Sequence, residues 1–224
     1  MQIFKFPFYL FLKLDPAFRH LSKNLKKKGR DEFLKVVESA KPEITTFSYS
    51  TLGLRPDCDL LLWQATTDVK KLQDFTAKLL KTVLGKYLTI AYTFLGVVQS
   101  STYLQTLAKA GTEFLRKDRA GFLIVYPFTK TTSWYLLGDA TRNQMMREHI
   151  KIAVRYSQIE QVLAYSYGIC DAEFILAYEC QNLADFVNLV KDLRATKVRK
   201  YTLSDTPIFT CIRRPLAEVV ALLG

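Results

Sequence analysis

The order of apolar segments predicts an α+β chain of tandem ferredoxin-like repeats, the dimeric α+β barrel type held within one subunit. Three features carry this expectation. The order β-α-β-β-α-β can be read twice along the chain. A local echo links Asp57-Cys58-Asp59-Leu60-Leu61-Leu62, followed by Leu72-Gln73-Asp74-Phe75, to Asp171-Ala172-Glu173-Phe174-Ile175-Leu176, followed by Leu183-Ala184-Asp185-Phe186. Finally, 224 residues, 49% hydrophobic and 24% charged, suffice for two compact halves with a real core. The halves are placed at 1–110 and 111–224.

In the first half, Ile3 to Leu14 is rich in aromatics and reads as a strand ended by Asp15-Pro16. The basic run Lys23, Lys26, Lys27, Lys28 and Arg30 reads as a solvated loop ahead of any nucleic-acid site. A helix is expected over 31–40, strands over 43–52 and 59–65, a helix over 68–84 and a strand over 86–100. Residues 102–118 are helical or irregular, and basic around Arg116, Lys117 and Arg119. The second half opens with a strand over 121–127, then a loop and a helix over 140–156. Thr141 and Gln144 have capping-box spacing, which puts a helix start close by. Strands over 160–167 and 173–179, a helix over 183–196 and a strand over 200–212 complete it.

Lysine and arginine number 32 against 21 acids, a net charge of +11 that suits an anionic partner without naming it. Cys58, Cys170, Cys180 and Cys211 show neither CxxC nor metal-ligand spacing, so reduced thiols are expected. The apolar start lacks a basic n-region and a small-residue cleavage site, and Lys5 and Pro7 interrupt it. No stretch has the length of a membrane span. A cytoplasmic protein is expected.

Only His20 and His149 are histidines. His149 sits with Met145, Met146, Ile152, Ala153 and Tyr156 on one face of a 3.6-period helix, while Arg147, Glu148, Lys151 and Arg155 take other faces. From the pattern alone a satisfied core histidine is the plainer reading. An imidazole facing an apolar pocket is also what a haem iron needs on its proximal side. Tyr126 ends a strand and is followed by Pro127, Phe128, Thr129 and Lys130. A buried tyrosine usually just finds a hydrogen-bond partner; its alternative is to surrender an electron and a proton to an oxidised iron centre. Lys130 can hold a carboxylate as a point charge. Asp57, Asp59, Asp171 and Glu173 begin strands and read as structural acids. GxGxxG, Walker A, HExxH and GxSxG motifs are absent. Residues 119–126 have a passing likeness to an RNP1 motif, without its basic-glycine-aromatic start in register or an RNP2 ahead of it, so RNA binding is not expected.

Several blocks in order along nearly the whole chain resemble the chlorite dismutase-like haem protein family, in its coproheme decarboxylase branch. They are FLKLDPAFR near the start, YSTLGLRPDCDLLLW over 49–63, IVYPFTKTTSWYLL over 124–137 and QMMREHIKIAVRY over 144–156. YSYG over 165–168, LADFVNLVKDLR over 183–194 and YTLSDTPIFT from Tyr201 follow. The resemblance implies two ferredoxin-like halves, haem in the C-terminal half and a ring of five subunits. His149, in the block that begins at Met145, falls on the proximal iron ligand, and Met145 is counted with the cofactor contacts. Tyr126 falls on the tyrosine that becomes a radical, Lys130 on a lysine that holds propionates, and Trp134 on a tryptophan near the proximal side.

Chlorite-dismutating members carry a distal arginine where this chain has Gln161 by one count and Val162 by another. They also carry a glutamate, hydrogen-bonded to the proximal histidine, where this chain has Val198. Both positions fit the decarboxylase branch. Arg116 and Arg119 are the candidates for the propionate-binding arginine, and the distal histidine of actinobacterial members has no counterpart. The resemblance therefore implies peroxide-dependent decarboxylation of iron coproporphyrin (coproheme) to haem b, with coproheme as both substrate and cofactor and hydrogen peroxide as oxidant. The alternatives are a chlorite dismutase or haem peroxidase, and a non-catalytic haem carrier.

Overall fold

A computed structural model describes residues 5–98 and 118–224. In chain order the elements are β1 (Phe6–Leu14), α1 (Lys23–Ser39), β2 (Thr45–Ser50), β3 (Leu60–Thr66), α2 (Val69–Lys81) and β4 (Leu88–Leu95). Then come β5 (Phe122–Lys130), α3 (Thr132–Tyr135), α4 (Asp139–Ala153), β6 (Glu160–Tyr165), β7 (Phe174–Cys180), α5 (Leu183–Arg194), β8 (Thr202–Ser204), β9 (Phe209–Arg213) and α6 (Leu216–Leu222). The chain divides into two compact units, Met1–Val98 with Cys211–Gly224, and Gln99–Thr210.

In the first unit the strands run in the order β4-β1-β3-β2, all neighbours antiparallel. Leu10, Leu12 and Leu14 of β1 point to one face with Leu60 and Leu62 of β3. There they share a core with Phe33 and Val37 of α1 and Leu72, Phe75 and Leu79 of α2. Each such side chain contributes about 1.5–3 kcal/mol when fully removed from water. Tyr9, Phe11, Tyr49 and Trp63 on the other face are buried too. That is why these strands read as continuous apolar runs instead of alternating.

Two expectations fail here for physical reasons. The basic run is no loop: α1 begins at Lys23, behind Ser22, whose Oγ accepts the Leu25 N–H at 3.4 Å. Its lysines occupy the solvent side, and its packing side is marked by Gly29, Phe33 and Val37, so the first contact is a glycine that apolar periodicity does not count. The boundary at 111–224 is also wrong for the C-terminus, since residues 211–224 group with the first unit. Ile212 and Arg213 of β9 pair with Ser50 and Tyr49 of β2. Val219, Val220 and Leu223 enter the same core as Leu10, and Arg30 donates Nη1 to the carbonyl of Gly224 at 3.0 Å. Helix α6 was not expected, although Pro215 precedes a helical apolar spacing.

In the second unit β8 pairs with β5, β5 with β7 and β7 with β6, again antiparallel. The expected strand over 200–212 is broken into a 3-10 turn (Lys197–Tyr201), β8 and β9. Register fixes the faces. Ile124 lies opposite Tyr178, Tyr126 opposite Leu176, and Phe128 opposite Phe174. Across the next pair Tyr178 faces Gln161, Leu176 faces Leu163, and Phe174 faces Tyr165. Directly opposed residues share a face, so Tyr126, Tyr178 and Gln161 project to the same side. Phe186, Leu189 and Leu193 of α5 pack onto that side. The reverse face, with Leu123, Val125, Ile175, Ala177 and Ala164, is buried.

Candidate functional site

Helix α4 starts after Gly138, with Asp139 in its first turn, where a negative charge complements the helix dipole. Thr141 and Gln144 therefore lie inside the helix, and the expected capping box is not its start. No side chain of α4 is fully buried; Met145, Met146, His149, Ile150, Ile152 and Ala153 are half-buried. Met145 and His149, one turn apart, stand on one side. The Nδ1 of His149 is sealed from solvent with no hydrogen-bond partner among the described residues. Burial, and then the positive charge of Lys130, push its pKa down to about 4. The imidazole is thus neutral at physiological pH, the state that can donate to a metal.

Lys130 ends β5 and is buried at 8% exposure. Its ammonium lies 4.6 Å from the centre of the Trp134 ring and 5.1 Å from that of Phe128. Trp134 is buried on α3 and packs on Tyr201, ring centres 5.6 Å apart. Desolvation lowers the pKa of Lys130 to about 8, against the opposing pull of Glu173. Glu173 does more than supply charge: its Oε2 accepts the backbone N–H of Lys130 at 2.7 Å and the hydroxyl of Tyr135 at 2.6 Å. One carboxylate so ties α3 to the end of β5.

Tyr126 stacks on Tyr178, ring centres 5.9 Å apart and planes 17° apart. Burial pushes Tyr126 up to about 12, hydrogen bonding from Tyr178 opposes this, and Asp205, Arg194 and Arg199 also act on it. Arg199 donates Nη1 to Asp205 at 2.5 Å, and its charge reaches Lys130 as well. Of the two positions left by counting, Gln161 is exposed on the face of Tyr126, while Val162 is buried on the reverse face. Val198 is buried in the 3-10 turn that packs against α4.

A family model described as chlorite dismutase matches residues 26–214. The chain belongs to the chlorite dismutase family. A coproheme decarboxylase from Mycolicibacterium smegmatis is 31% identical over 193 residues, covering 85% of this chain and 82% of that protein. Among solved structures, a mutant chlorite dismutase from Candidatus Nitrospira defluvii superposes with a TM-score of 0.90 at 25% identity, covering 98% of this chain and 95% of that one. The chlorite dismutase of the same organism in complex with imidazole gives 0.89 at 25% identity, covering 98% and 94%.

Within this member of the chlorite dismutase family, Arg119 is not the free cation that sequence suggested. It is buried against Glu179, Nη1 to Oε2 2.8 Å, both side chains almost wholly out of solvent. Arg116 lies outside the described residues. Glu173, Tyr178 and Arg199 were passed over: an acid at a strand start looks structural, and only strand register brings Tyr178 to Tyr126. An apolar groove of about 370 Å³ in the first unit, lined by Phe8, Leu72 and Leu95, holds no ionisable side chain and is not the site. Among the described residues no group of three or more His, Cys, Asp or Glu is placed to hold a metal ion. No described helix is long and apolar enough to cross a membrane.

Proposed function

We propose that this chain is a coproheme decarboxylase, which converts two propionates of iron coproporphyrin to vinyl groups and so yields haem b with hydrogen peroxide as oxidant. The observation that carries the reading is one strand, β5, presenting Tyr126 and Lys130, with the charge of Lys130 acting on a half-buried, neutral His149 whose Nδ1 is sealed from solvent. An iron porphyrin fits these residues. His149 offers an imidazole without a competing carboxylate, which agrees with Val198 at the position discussed above. Tyr126, Phe128, Leu163, Tyr165 and Phe174 give an apolar and aromatic wall. Lys130, with Arg194 and Arg199 nearby, supplies positive charge for propionates.

His149 would hold the iron, Met145 and Trp134 would border the ring on the same side, and Gln161 would face it from the sheet. Bound in this way, the iron of the substrate supplies the peroxide chemistry that oxidises a nearby phenol. Tyr126 is protonated at neutral pH, so its electron and its phenolic proton must leave together. The tyrosyl radical takes a hydrogen atom from the propionate chain and recovers its O–H. Loss of one further electron and of carbon dioxide leaves the vinyl group, so each propionate gives up two electrons and one peroxide accepts them. Lys130 pairs with a carboxylate and fixes that chain against Tyr126. Chlorite chemistry is the weaker reading, because Gln161 stands on the face of Tyr126 where an arginine would be wanted.

The same reading takes the two units as tandem ferredoxin-like repeats, supported by the matching strand orders β4-β1-β3-β2 and β8-β5-β7-β6. It extends to a cytoplasmic ring of five subunits, which sedimentation of the purified protein tests. The decisive experiment is mass spectrometry of the porphyrin after loading with iron coproporphyrin and titrating peroxide. Two successive decarboxylations through a three-propionate intermediate are expected. Tyr126→Phe should keep binding and stop turnover, and His149→Ala should weaken binding. Intact or bleached coproheme would sink the proposal. Full activity in Tyr126→Phe would remove the radical step, whereas binding of coproheme without turnover in the unmodified protein would leave a carrier.

A further inference from the structure

Near Lys130 lies a second group of tyrosines that the proposed reaction does not use. The hydroxyls of Tyr135 and Tyr167 are 2.8 Å apart, and that of Tyr135 donates to Glu173 Oε2 at 2.6 Å. Tyr135 has a single proton, already committed to the carboxylate, so Tyr167 is the donor between the two phenols. A line of donors thus runs from Tyr167 through Tyr135 to a carboxylate that can take a proton. Both rings reach solvent, Tyr135 at 37% exposure and Tyr167 at 46%. Burial, and then the hydrogen bond to the adjacent carboxylate, hold the phenolic proton of Tyr135 well above its usual range, so Tyr135 is neutral and loses an electron only as a proton moves.

Inward, the rings are continuous. Tyr167 lies 5.0 Å from Phe174 and 6.4 Å from Tyr165 by ring centres, and Tyr165 lies 5.7 Å from Phe174. Phe174 in turn lies 6.1 Å from Phe128, two residues along β5 from Tyr126. Tyr165 and Tyr126 share a sheet face, two strands and two residues apart, a backbone separation of about 12 Å from ordinary strand spacing.

We infer that Tyr135 and Tyr167 form a surface exit for oxidising equivalents, where a small water-soluble phenolic reductant is oxidised by one electron. This rests on the peroxide-driven reading above, which supplies the oxidant. The oxidised Tyr126 takes an electron and the phenolic proton from Tyr165, and Tyr165 regains an electron from the surface pair and a proton from water. The proton of Tyr135 passes to Glu173, and that of Tyr167 follows into Tyr135 if the electron is drawn from Tyr167. A phenol docking at the exposed edge then returns one electron, the proton comes back from Glu173, and the phenoxyl product leaves with its own proton released to water. The route drains Tyr126 when no propionate is in place, and so protects the site from its own radical.

Two measurements test this. In the protein without porphyrin, low-dose photo-oxidation by ruthenium tris-bipyridyl and persulfate is mapped by peptide mass spectrometry. Tyr135 and Tyr167 are expected to carry the largest share of modification, and that share is expected to fall several-fold in Glu173→Gln, which keeps the size of the side chain and removes the base. Modification spread over tyrosines in proportion to exposure, or unchanged in Glu173→Gln, overturns the inference. In the loaded protein, peroxide-driven oxidation of 2,6-dimethoxyphenol is followed beside decarboxylation. The conservative double variant Tyr135→Phe, Tyr167→Phe is expected to lose most phenol oxidation and to keep decarboxylation. Unaltered phenol oxidation in that variant overturns the exit. Failure of decarboxylation in the unmodified protein, with the photo-oxidation pattern as expected, counts against the proposed function and not against the pair.

Discussion

The ammonium of Lys130 lies 4.6 Å from the centre of the Trp134 ring, in a buried place that changes how this lysine responds to base. The ring attracts the cation, yet loss of water is the larger effect, and the pKa falls from 10.5 to about 8. Between these values the unfolded chain binds a proton that the folded chain does not, so stability rises with pH over that window. At pH 7 the lysine therefore opposes folding by an amount on the order of 3 kcal/mol at most. Lys130→Met is expected to stabilise the porphyrin-free protein at pH 7, with the advantage shrinking to nothing above pH 10.5, in urea unfolding at several pH values. Under the proposed function, binding of iron coproporphyrin is expected to have the opposite dependence. It is expected to weaken as pH passes about 8 in the unmodified protein, and to be weak at all pH in Lys130→Met.

His149 sets the acid limit. Its folded pKa of about 4 lies below the ordinary value of 6.5 because burial disfavours the charged ring. The unfolded chain binds the extra proton between those values, so stability is complete above about pH 6.5 and is lost as pH falls towards 4. The loss amounts to about 3 kcal/mol at full protonation. His149→Gln is expected to flatten the pH dependence of unfolding in that window, other groups being common to both proteins. In the unmodified protein the iron–imidazole band is expected to persist down to about pH 4. A loss of that band near pH 6.5 would show an ordinary exposed histidine.

The elements were legible where apolar spacing was regular, and His149 is a good example of what pattern can and cannot say. Its half-buried face, shared with Met145 and Ile152, follows from periodicity, but its buried Nδ1 and its exposure to the charge of Lys130 depend on packing between elements far apart in sequence. Tyr126 was legible at a strand end, but Lys130 was expected in the loop beyond Pro127, whereas β5 runs on to Lys130. Tyr178 was not, since its meeting with Tyr126 depends on the register of β5 on β7, which no local residue announces. Arg119 misled for the opposite reason: a basic residue looks exposed until a buried acid from another strand is found beside it. The basic start of α1 was missed because Ser22 was the only strong signal, and its first packing position is a glycine.

The Arg119–Glu179 pair is expected to matter for folding and not for substrate. Removing one partner of a buried ion pair leaves the other unpaired out of water, which costs about 3–5 kcal/mol. Arg119→Met is therefore expected to lower the unfolding midpoint clearly, while the affinity of the remaining folded protein for iron coproporphyrin stays unchanged. A selective loss of porphyrin affinity with unaltered stability would return Arg119 to the list of propionate ligands.

Tyr178 is expected to tune Tyr126 without replacing it. Its ring lies against that of Tyr126, and hydrogen bonding from its hydroxyl opposes the upward push of burial on the Tyr126 pKa. A donor at the phenol oxygen also favours the phenoxyl radical, whose oxygen keeps an acceptor site when its own proton has gone. Tyr178→Phe retains the stacked ring and removes only this donor. A neutral hydrogen bond is worth about 0.5–1.5 kcal/mol, so decarboxylation is expected to slow roughly two- to ten-fold with coproheme affinity unaltered. The Tyr126 radical, trapped by freezing after peroxide addition, is expected to show a larger lowest-field g value, because the phenoxyl oxygen no longer accepts that bond. Tyr178→Leu loses the stacked ring as well and separates the two contributions. An unchanged rate and an unchanged g value in Tyr178→Phe would mean that Tyr178 serves only to fill the core between β7 and α5.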